Sequence, residues 1–482
     1  MEVHKEVPAE TESEIQKETD HSFEPEVAHL DRRELLSGAL KSTAVVGFGS
    51  ALLASNNPSS DAQQTKPRKK ASHTKTVPPS ERITLALIGC GGMGRYNLQK
   101  FMEKPEVQIA AICDVDSLHM KTASSLVEAK YGKKPRSYKD YRRVIDRDDI
   151  DGVIIATPDH WHAIPLIYAC GAGKDAYCEK PISHNIFEAK AMDAAVRKTE
   201  RIVQVGTWQR SIQEFMSAVD YIRTGKLGKV IQVRAWKTDD QQVGKLVASK
   251  APSTLDYELW TGPAAMTPYR EKGVHFNWRW FLNYGSGMTG DWGVHMIDIA
   301  LLAMSPGNEL VMPTEVYANG GKWAYPEDDR TAPDTVIATM RFKDPDFVMH
   351  WETQRSHPSR PDQGVQFIGA DGRTLMVWRR GWKVTDKAGI PLPKTTLDKD
   401  LVPLAEDHWQ NWLNCIKSRK TPRAPLSSLA QTTIVCHLIN ASQSSEEVVR
   451  WNNRLKDIEG SSGKNTTSYV REYRRPYQLP KV

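Results

Sequence analysis

The feature that most restricts what this chain can fold into is a glycine-rich turn, Gly89-Cys90-Gly91-Gly92-Met93-Gly94, between two short patterned segments. Ahead of it, Ile83 to Ile88 is apolar throughout and too short for a helix, so it reads as a buried strand. Behind it, Arg95 to Glu103 has helical character. In that context G-x-G-x-x-G reads as the first turn of a dinucleotide-binding unit. Gly89 allows the tight turn, the backbone of Gly91, Gly92 and Met93 can approach a pyrophosphate, and Gly94 lets helix and strand pack closely. The helix N-terminus adds N–H donors and a favourable dipole for phosphate. Asp114 ends the next apolar run, Val107 to Cys113, about 20 residues past the turn, where an acid meets the adenosine ribose hydroxyls. A carboxylate there repels a 2′-phosphate, and no arginine directly follows it, so NAD is expected over NADP.

The alternation continues. Helical patterns at Ser117 to Tyr131, Ala163 to Ala169 and Ile186 to Thr199 separate strands at Gly152 to Ala156, Asp175 to Cys178 and Arg201 to Val205. Single helices between strands build a parallel sheet through right-handed crossovers. After Gly206 the texture changes. A helix at Ser211 to Arg223 leads into strands at Val230 to Trp236, Thr335 to Arg341, Phe347 to Trp351, Val365 to Ile368 and Thr374 to Trp378. Helices follow at His408 to Lys417 and Leu426 to Ala441. Strands in succession imply antiparallel pairing. The expected class is therefore α/β: a Rossmann domain with a parallel sheet at 81–205, then an α+β domain for substrate and oligomerisation at 206–482, with a largely antiparallel open sheet.

The N-terminal stretch reads differently. Residues 1–30 are polar and acidic and are expected to be disordered. Arg32-Arg33 precedes a weakly apolar stretch from Leu35 to Ala54, which resembles a twin-arginine export signal, with Leu where Phe is usual and no clear cleavage site. Residues 1–54 are thus assigned as disordered start and signal, and 55–80 as linker. Lys66-Pro67-Arg68-Lys69-Lys70, in the linker, reads as a solvated charge run. Export places the protein in the periplasm, with cofactor loaded before transport, and leaves no membrane span in the mature chain; the alternative is an amphipathic or anchoring helix on a cytoplasmic protein. The net charge of +6 is dispersed, and no nucleic-acid module appears. The six cysteines form no C-x-x-C pair and read as buried small apolar residues.

Three further segments carry chemistry. Ala156-Thr157-Pro158-Asp159-His160-Trp161-His162 and Cys178-Glu179-Lys180-Pro181 each follow a strand, and ligands bind at the carboxyl ends of parallel strands. Gly290-Asp291-Trp292-Gly293-Val294-His295 sets an acid and a histidine four apart, on one face if the segment is helical. A zinc site from His160, His162 and His295 is not adopted, because a strand-end H-x-H is a weak signal; no metal is expected.

Together these segments resemble the Gfo/Idh/MocA oxidoreductases, which include glucose–fructose oxidoreductase and inositol dehydrogenases, from about Arg82 to the C-terminus. The resemblance implies that Lys180, Asp291 and His295 are catalytic, that Thr157, Pro158 and His162 lie along the cofactor, and that Glu179 and Lys180 belong to its site. Asp159-His160-Trp161-His162 and the ending Arg471-Glu472-Tyr473-Arg474-Arg475-Pro476 look like an exported bacterial branch. The implied reaction removes a hydroxyl proton while hydride leaves a sugar or cyclitol carbon. His295 has the basicity for the proton, with Asp291 to orient it, and Lys180 can stabilise alkoxide charge. Some relatives use bound NAD transiently as glycosidases, but those depart from Glu-Lys-Pro, which is intact here. A non-catalytic NAD-binding regulator is disfavoured by the intact Lys180, Asp291 and His295. Candidate substrate contacts are Gln209 and Arg210 at the domain junction, and Trp278 and Arg279 in an aromatic stretch with Phe276, Trp280, Phe281 and Tyr284, whose rings also suit core or an interface. A homo-oligomer is expected.

Overall fold

The computed structural model describes residues 78, 81–239, 241–307, 309–355, 360–393 and 403–482. The expected start and signal lie outside these residues, as does the linker apart from Pro78.

The first sheet has six parallel strands: β1 (Ile83–Ile88), β2 (Val107–Cys113), β3 (Arg136–Tyr138), β4 (Gly152–Ile155), β5 (Asp175–Cys178) and β6 (Val203–Val205). Their order is β3-β2-β1-β4-β5-β6. The chain therefore winds outward from β1 in one direction and from β4 in the other, which opens a crevice at the carboxyl ends of β1 and β4. The glycine-rich turn leaves β1 at that point, and Thr157 follows β4. Burial on both faces explains the apolar runs: Leu85, Ala86 and Leu87 are wholly buried. All six cysteines are buried and free.

The helix His408–Ser418, late in sequence, completes this layer. Its Trp412 ring packs on Phe101 at 5.3 Å and Tyr177 at 5.9 Å. Trp409 Nε1 donates to Asn97 Oδ1 at 2.9 Å, and Gln204 Nε2 to the His408 carbonyl at 2.6 Å. The long helix Leu426–Ser445 bridges the two layers, packing on the helix Ile186–Thr199 and on the second sheet.

That sheet has nine strands: β7 (Val230–Thr238), β8 (Glu315–Gly321), β9 (Thr335–Lys343), β10 (Asp346–Gln354), β11 (Gln363–Gly369), β12 (Thr374–Trp378), β13 (Gly381–Thr385), β14 (Val449–Asn452) and β15 (Asp457–Ile458). The order is β13-β12-β11-β7-β10-β9-β8-β14-β15. Its pairs are antiparallel except β7 with β10. β9 alternates strictly, burying Val336, Ala338, Met340 and Phe342. Helices Gln213–Arg223, Val294–Met304 and Leu426–Ser445 cover the buried face, and on the other face Ile337, Thr339 and Arg341 of β9 are exposed. No helix of the described residues is long and apolar enough to cross a membrane.

Candidate active site

The cofactor edge is made of backbone. Gly89 has φ +95°, and a Cβ there would meet the Ala156 carbonyl oxygen at 2.5 Å. A Cβ on Gly94 would fall 1.9 Å from the Gly89 oxygen. By contrast, a Cβ on Gly91 or Gly92 would meet nothing within 4 Å, so their backbone borders open space. Gly91 starts the helix Gly92–Met102 with no side-chain cap. An uncapped helix N-terminus bordering open space at a strand switch point fits a pyrophosphate.

Asp114 stands at the end of β2. Burial pushes its carboxyl up to about 6, against two backbone donors, Cys90 N at 2.5 Å and Asp116 N at 2.8 Å. Nearby, His275 Nε2 lies 3.2 Å from Asp116 Oδ2, with the His119 ring 4.5 Å from that of His275. This contact fastens the irregular segment before Asp291 over the end of β2, and its three side chains are the one group among the described residues that brings metal-ligand atoms together.

Lys180 leads the reaction edge. Its Nζ donates to Asp291 Oδ1 at 2.7 Å and to the Asp291 carbonyl at 2.8 Å. Arg279 Nε donates to the same Oδ1 at 3.1 Å. Burial works against the Asp291 carboxylate, but Lys180 and Arg279 outweigh it and hold the group well below the usual carboxylate range. Asp291 sits in a π-helical turn, Thr289–Gly293, that runs into Val294–Met304. Such a turn disrupts α spacing at functional positions. No hydrogen bond joins Asp291 to His295 among the described residues, so the expectation that Asp291 orients the imidazole is revised: its carboxylate holds Lys180 and Arg279. His295 is buried, and its Nδ1 has no partner. Burial, with Lys180 and Arg379 close by, holds it well below the ordinary histidine range. It is therefore a neutral imidazole at neutral pH.

The remaining expected residues divide. Thr157 Oγ1 is buried without a partner at the mouth of the crevice, and Pro158 follows it as N-cap of Asp159–Gly171. His162 lies between carbonyls, Pro181 O at 2.8 Å from Nδ1 and Thr157 O at 2.7 Å from Nε2, and so ties the two strand-end loops together. Glu179 is buried, accepting from Asn97 Nδ2 at 2.7 Å. Burial pushes its carboxyl up. His160 is likewise held by two carbonyls, of Tyr284 and Trp260. Both side-chain amide atoms of Gln209 are buried and unpartnered. Arg210 is committed elsewhere, forming a fork on Asp298 at 2.7 and 2.6 Å. Trp278 and Phe276 flank the Arg279 guanidinium, each ring 4.7 Å away, while Trp280, Phe281 and Tyr284 belong to the core.

Sequence reasoning missed Asp159 and Arg379. Asp159 is wholly enclosed; burial and the Asp291 charge push its carboxyl well above the usual range. Ser286 Oγ donates to its Oδ2 at 2.9 Å. Arg379, on the β12–β13 turn, lies 4.5 Å from the rings of both Trp208 and Trp292. Asp159 lay within a quoted motif and could have been singled out as an acid at a strand end; for Arg379 no sequence signal exists.

A glycine cradle at a parallel-sheet switch point, beside a buried Lys–Asp pair and a neutral histidine, defines an NAD-binding oxidoreductase fold. Residues 83–207 match the oxidoreductase family's NAD-binding Rossmann fold, and residues 221–322 match the same family's C-terminal alpha/beta domain. Both matched segments are domains of the Gfo/Idh/MocA oxidoreductase family. The chain is 25% identical to the uncharacterized oxidoreductase YrbE of Bacillus subtilis (strain 168), over 61% of this chain and 73% of that protein. It is 29% identical to a glycosyl hydrolase family 109 protein of Shewanella pealeana, over 43% of this chain and only 45% of that protein. The same fold occurs in the aldose-aldose oxidoreductase of Caulobacter crescentus, with TM-score 0.56, 20% identity, and coverage of 77% of this chain and 99% of that one.

Proposed function

We propose that the protein transfers hydride between bound NAD and a secondary hydroxyl of a sugar, glycoside or cyclitol. The observation that carries this reading is the Lys180–Asp291 contact at 2.7 Å beside a buried, neutral His295 with a free Nδ1. NAD, when bound, supplies the hydride acceptor. Asp291, held charged by Lys180 and Arg279, keeps the Lys180 ammonium pointed at one place. From there Nζ can donate to the substrate hydroxyl and stabilise alkoxide charge as the C–H bond breaks. The His295 imidazole takes the hydroxyl proton, and the carbinol becomes a carbonyl. In the reverse direction the same imidazole returns that proton.

The purified protein is expected to carry NAD and to reduce it once per site when given its sugar, seen as nicotinamide absorbance, with reoxidation by a carbonyl sugar. A second reading is an NAD-dependent glycosidase that oxidises transiently and eliminates the aglycone; the similarity to the glycosyl hydrolase family 109 protein favours it. Multiple-turnover release of aglycone from aryl glycosides, dependent on bound NAD and without lasting reduced cofactor, would replace the first reading with the second.

The same proposal places the protein in the periplasm as a member of an exported bacterial branch and as a homo-oligomer. Arg32-Arg33 supports export; replacing both with Lys should retain the protein in the cytoplasm, and unchanged fractionation removes the twin-arginine route. The exposed face of the second sheet supports self-association, since it carries Tyr317 at 46% and Ile337 at 55% exposure. Light scattering of a monomer would remove that reading.

A further inference from the structure

We propose that Arg379 recognises an anionic substituent of the substrate, so that the preferred sugar carries a carboxylate or phosphate. This rests on the oxidoreductase reading in taking the bound molecule as substrate. The guanidinium is stacked between Trp208 and Trp292, 4.5 Å from each ring. No hydrogen bond or ion pair joins it to any described residue, and its Nε is buried without a partner. Arg379 is half-buried, and of its three guanidinium nitrogens Nε is enclosed without a partner, an unpaired buried donor whose cost an acceptor on the guanidinium would offset. The other cations of the reaction edge are satisfied: Lys180 and Arg279 on Asp291, and Lys237 on Asp362 at 2.8 Å. Of these four cations, Arg379 alone has no acid in hydrogen-bond contact among the described residues.

Location joins this cation to the reacting end. Trp292 follows Asp291, and its ring lies 5.7 Å from that of His295. Trp208 precedes Gln209, whose amide is also buried and unpartnered. The guanidinium of Arg379 and the Nδ1 of His295 thus stand beside Trp292 short of partners, and the unpartnered amide of Gln209 follows Trp208 in the chain. A sugar acid matches these groups: the carboxylate on the fork, hydroxyls on the amide, ring C–H faces on the indoles. The two rings fix the guanidinium plane, so the fork is set before the ligand arrives. The phosphates of the cofactor have their own site at the glycine turn.

The test is calorimetric titration of the NAD-loaded full-length protein with D-glucuronate and D-glucose, D-galacturonate and D-galactose, and D-glucose 6-phosphate. One charge-assisted contact predicts an acidic sugar bound about tenfold to a hundredfold tighter than its neutral partner. Arg379→Met should abolish that ratio, and Arg379→Lys, which keeps the charge without the fork, should keep part of it. A tighter uronate assigns a carboxylate, and a tighter sugar phosphate assigns a phosphate. Absent or equal binding of acidic and neutral sugars by the wild type overturns the inference, as does a ratio that survives in Arg379→Met. Loss of NAD from Arg379→Met with the ratio intact makes the guanidinium a cofactor clamp and also overturns it. The wild-type ratio and the Lys variant decide the matter if the Met variant does not fold. Tight binding of an acid that never reduces the bound NAD leaves this inference standing and removes the dehydrogenase reading.

Discussion

The two edges of the cleft are built by opposite means. At the cofactor edge, six consecutive residues, Gly89 to Gly94, shape a backbone surface, and what matters is the side chains they lack. At the reaction edge, Lys180 comes from the end of β5, Gln209 from beyond β6, His295 from a helix behind a π turn, and Arg379 from a hairpin of the second sheet. There, side chains and their charges matter, and each is placed by packing far from its own sequence neighbours. A local backbone device should therefore fail by losing the cofactor, whereas an assembled charge device should fail by losing rate.

The sharpest way to break this contrast is Lys180→Met. Turnover should fall on the order of a hundredfold or more, the usual scale for one electrostatic contact to a reacting oxygen. NAD released from the purified variant should stay near wild-type content. Near wild-type turnover would remove Lys180 from the chemistry, and loss of NAD would make the two edges one.

Gly94→Ala tests the other side. Its new Cβ would sit 1.9 Å from the Gly89 oxygen, so the turn must open. Overpacking of this kind costs about 1–3 kcal/mol. The expected outcome is a lower melting temperature and protein purified largely free of NAD, with turnover recovering in excess NAD. Full NAD content at an unchanged melting temperature would contradict the close helix–strand contact.

The smallest effect is one of pH. Asp114, raised to about 6 in the free protein by burial, is charged above that pH and loses its charge below it. Its repulsion of a 2′-phosphate should fade as pH falls through about 6, so the NAD-to-NADP affinity ratio should shrink several-fold by roughly pH 5, about one unit below that value. Asp114→Ser should show the small ratio at every pH. The reaction edge should respond in another window. With His295 held below the ordinary histidine value, the acid limb of kcat/KM for a neutral sugar should lie below about pH 6.5. A limb above that value would mean that His295 is not the base, and a flat cofactor ratio would remove Asp114 from discrimination.

Legibility followed the same division. β1, β2, β5 and β12 and the helices Ser117–Tyr131 and Ile186–Thr199 have the boundaries that their patterns predict. Buried strands are continuous apolar runs, and exposed helices are periodic, so each carries its own signal. The helix Val294–Met304 carries none, because it is buried nearly all round and has no polar face. The short β3 is too polar to stand out, with Arg136 and Ser137 exposed. His408–Ser418 is readable as a helix, but nothing in its residues says that Trp409 and Trp412 pack on the first sheet.

By itself, the sequence determined the parallel sheet and the glycine turn at its switch point, while Lys180, Asp291 and His295 were singled out by resemblance to a family. The sheet and the turn depend on residue type, on short spacing and on backbone sterics, all of which are local. Tertiary structure alone decided the partners. Asp291 holds Lys180 and Arg279 rather than His295, Arg210 is committed to Asp298, and Arg379 stands between two tryptophans with no acid in hydrogen-bond contact among the described residues. A hydrogen bond or ion pair forms only over a few ångströms, and which charged groups come that close is set by how two sheets and a returning helix pack, which no local pattern records.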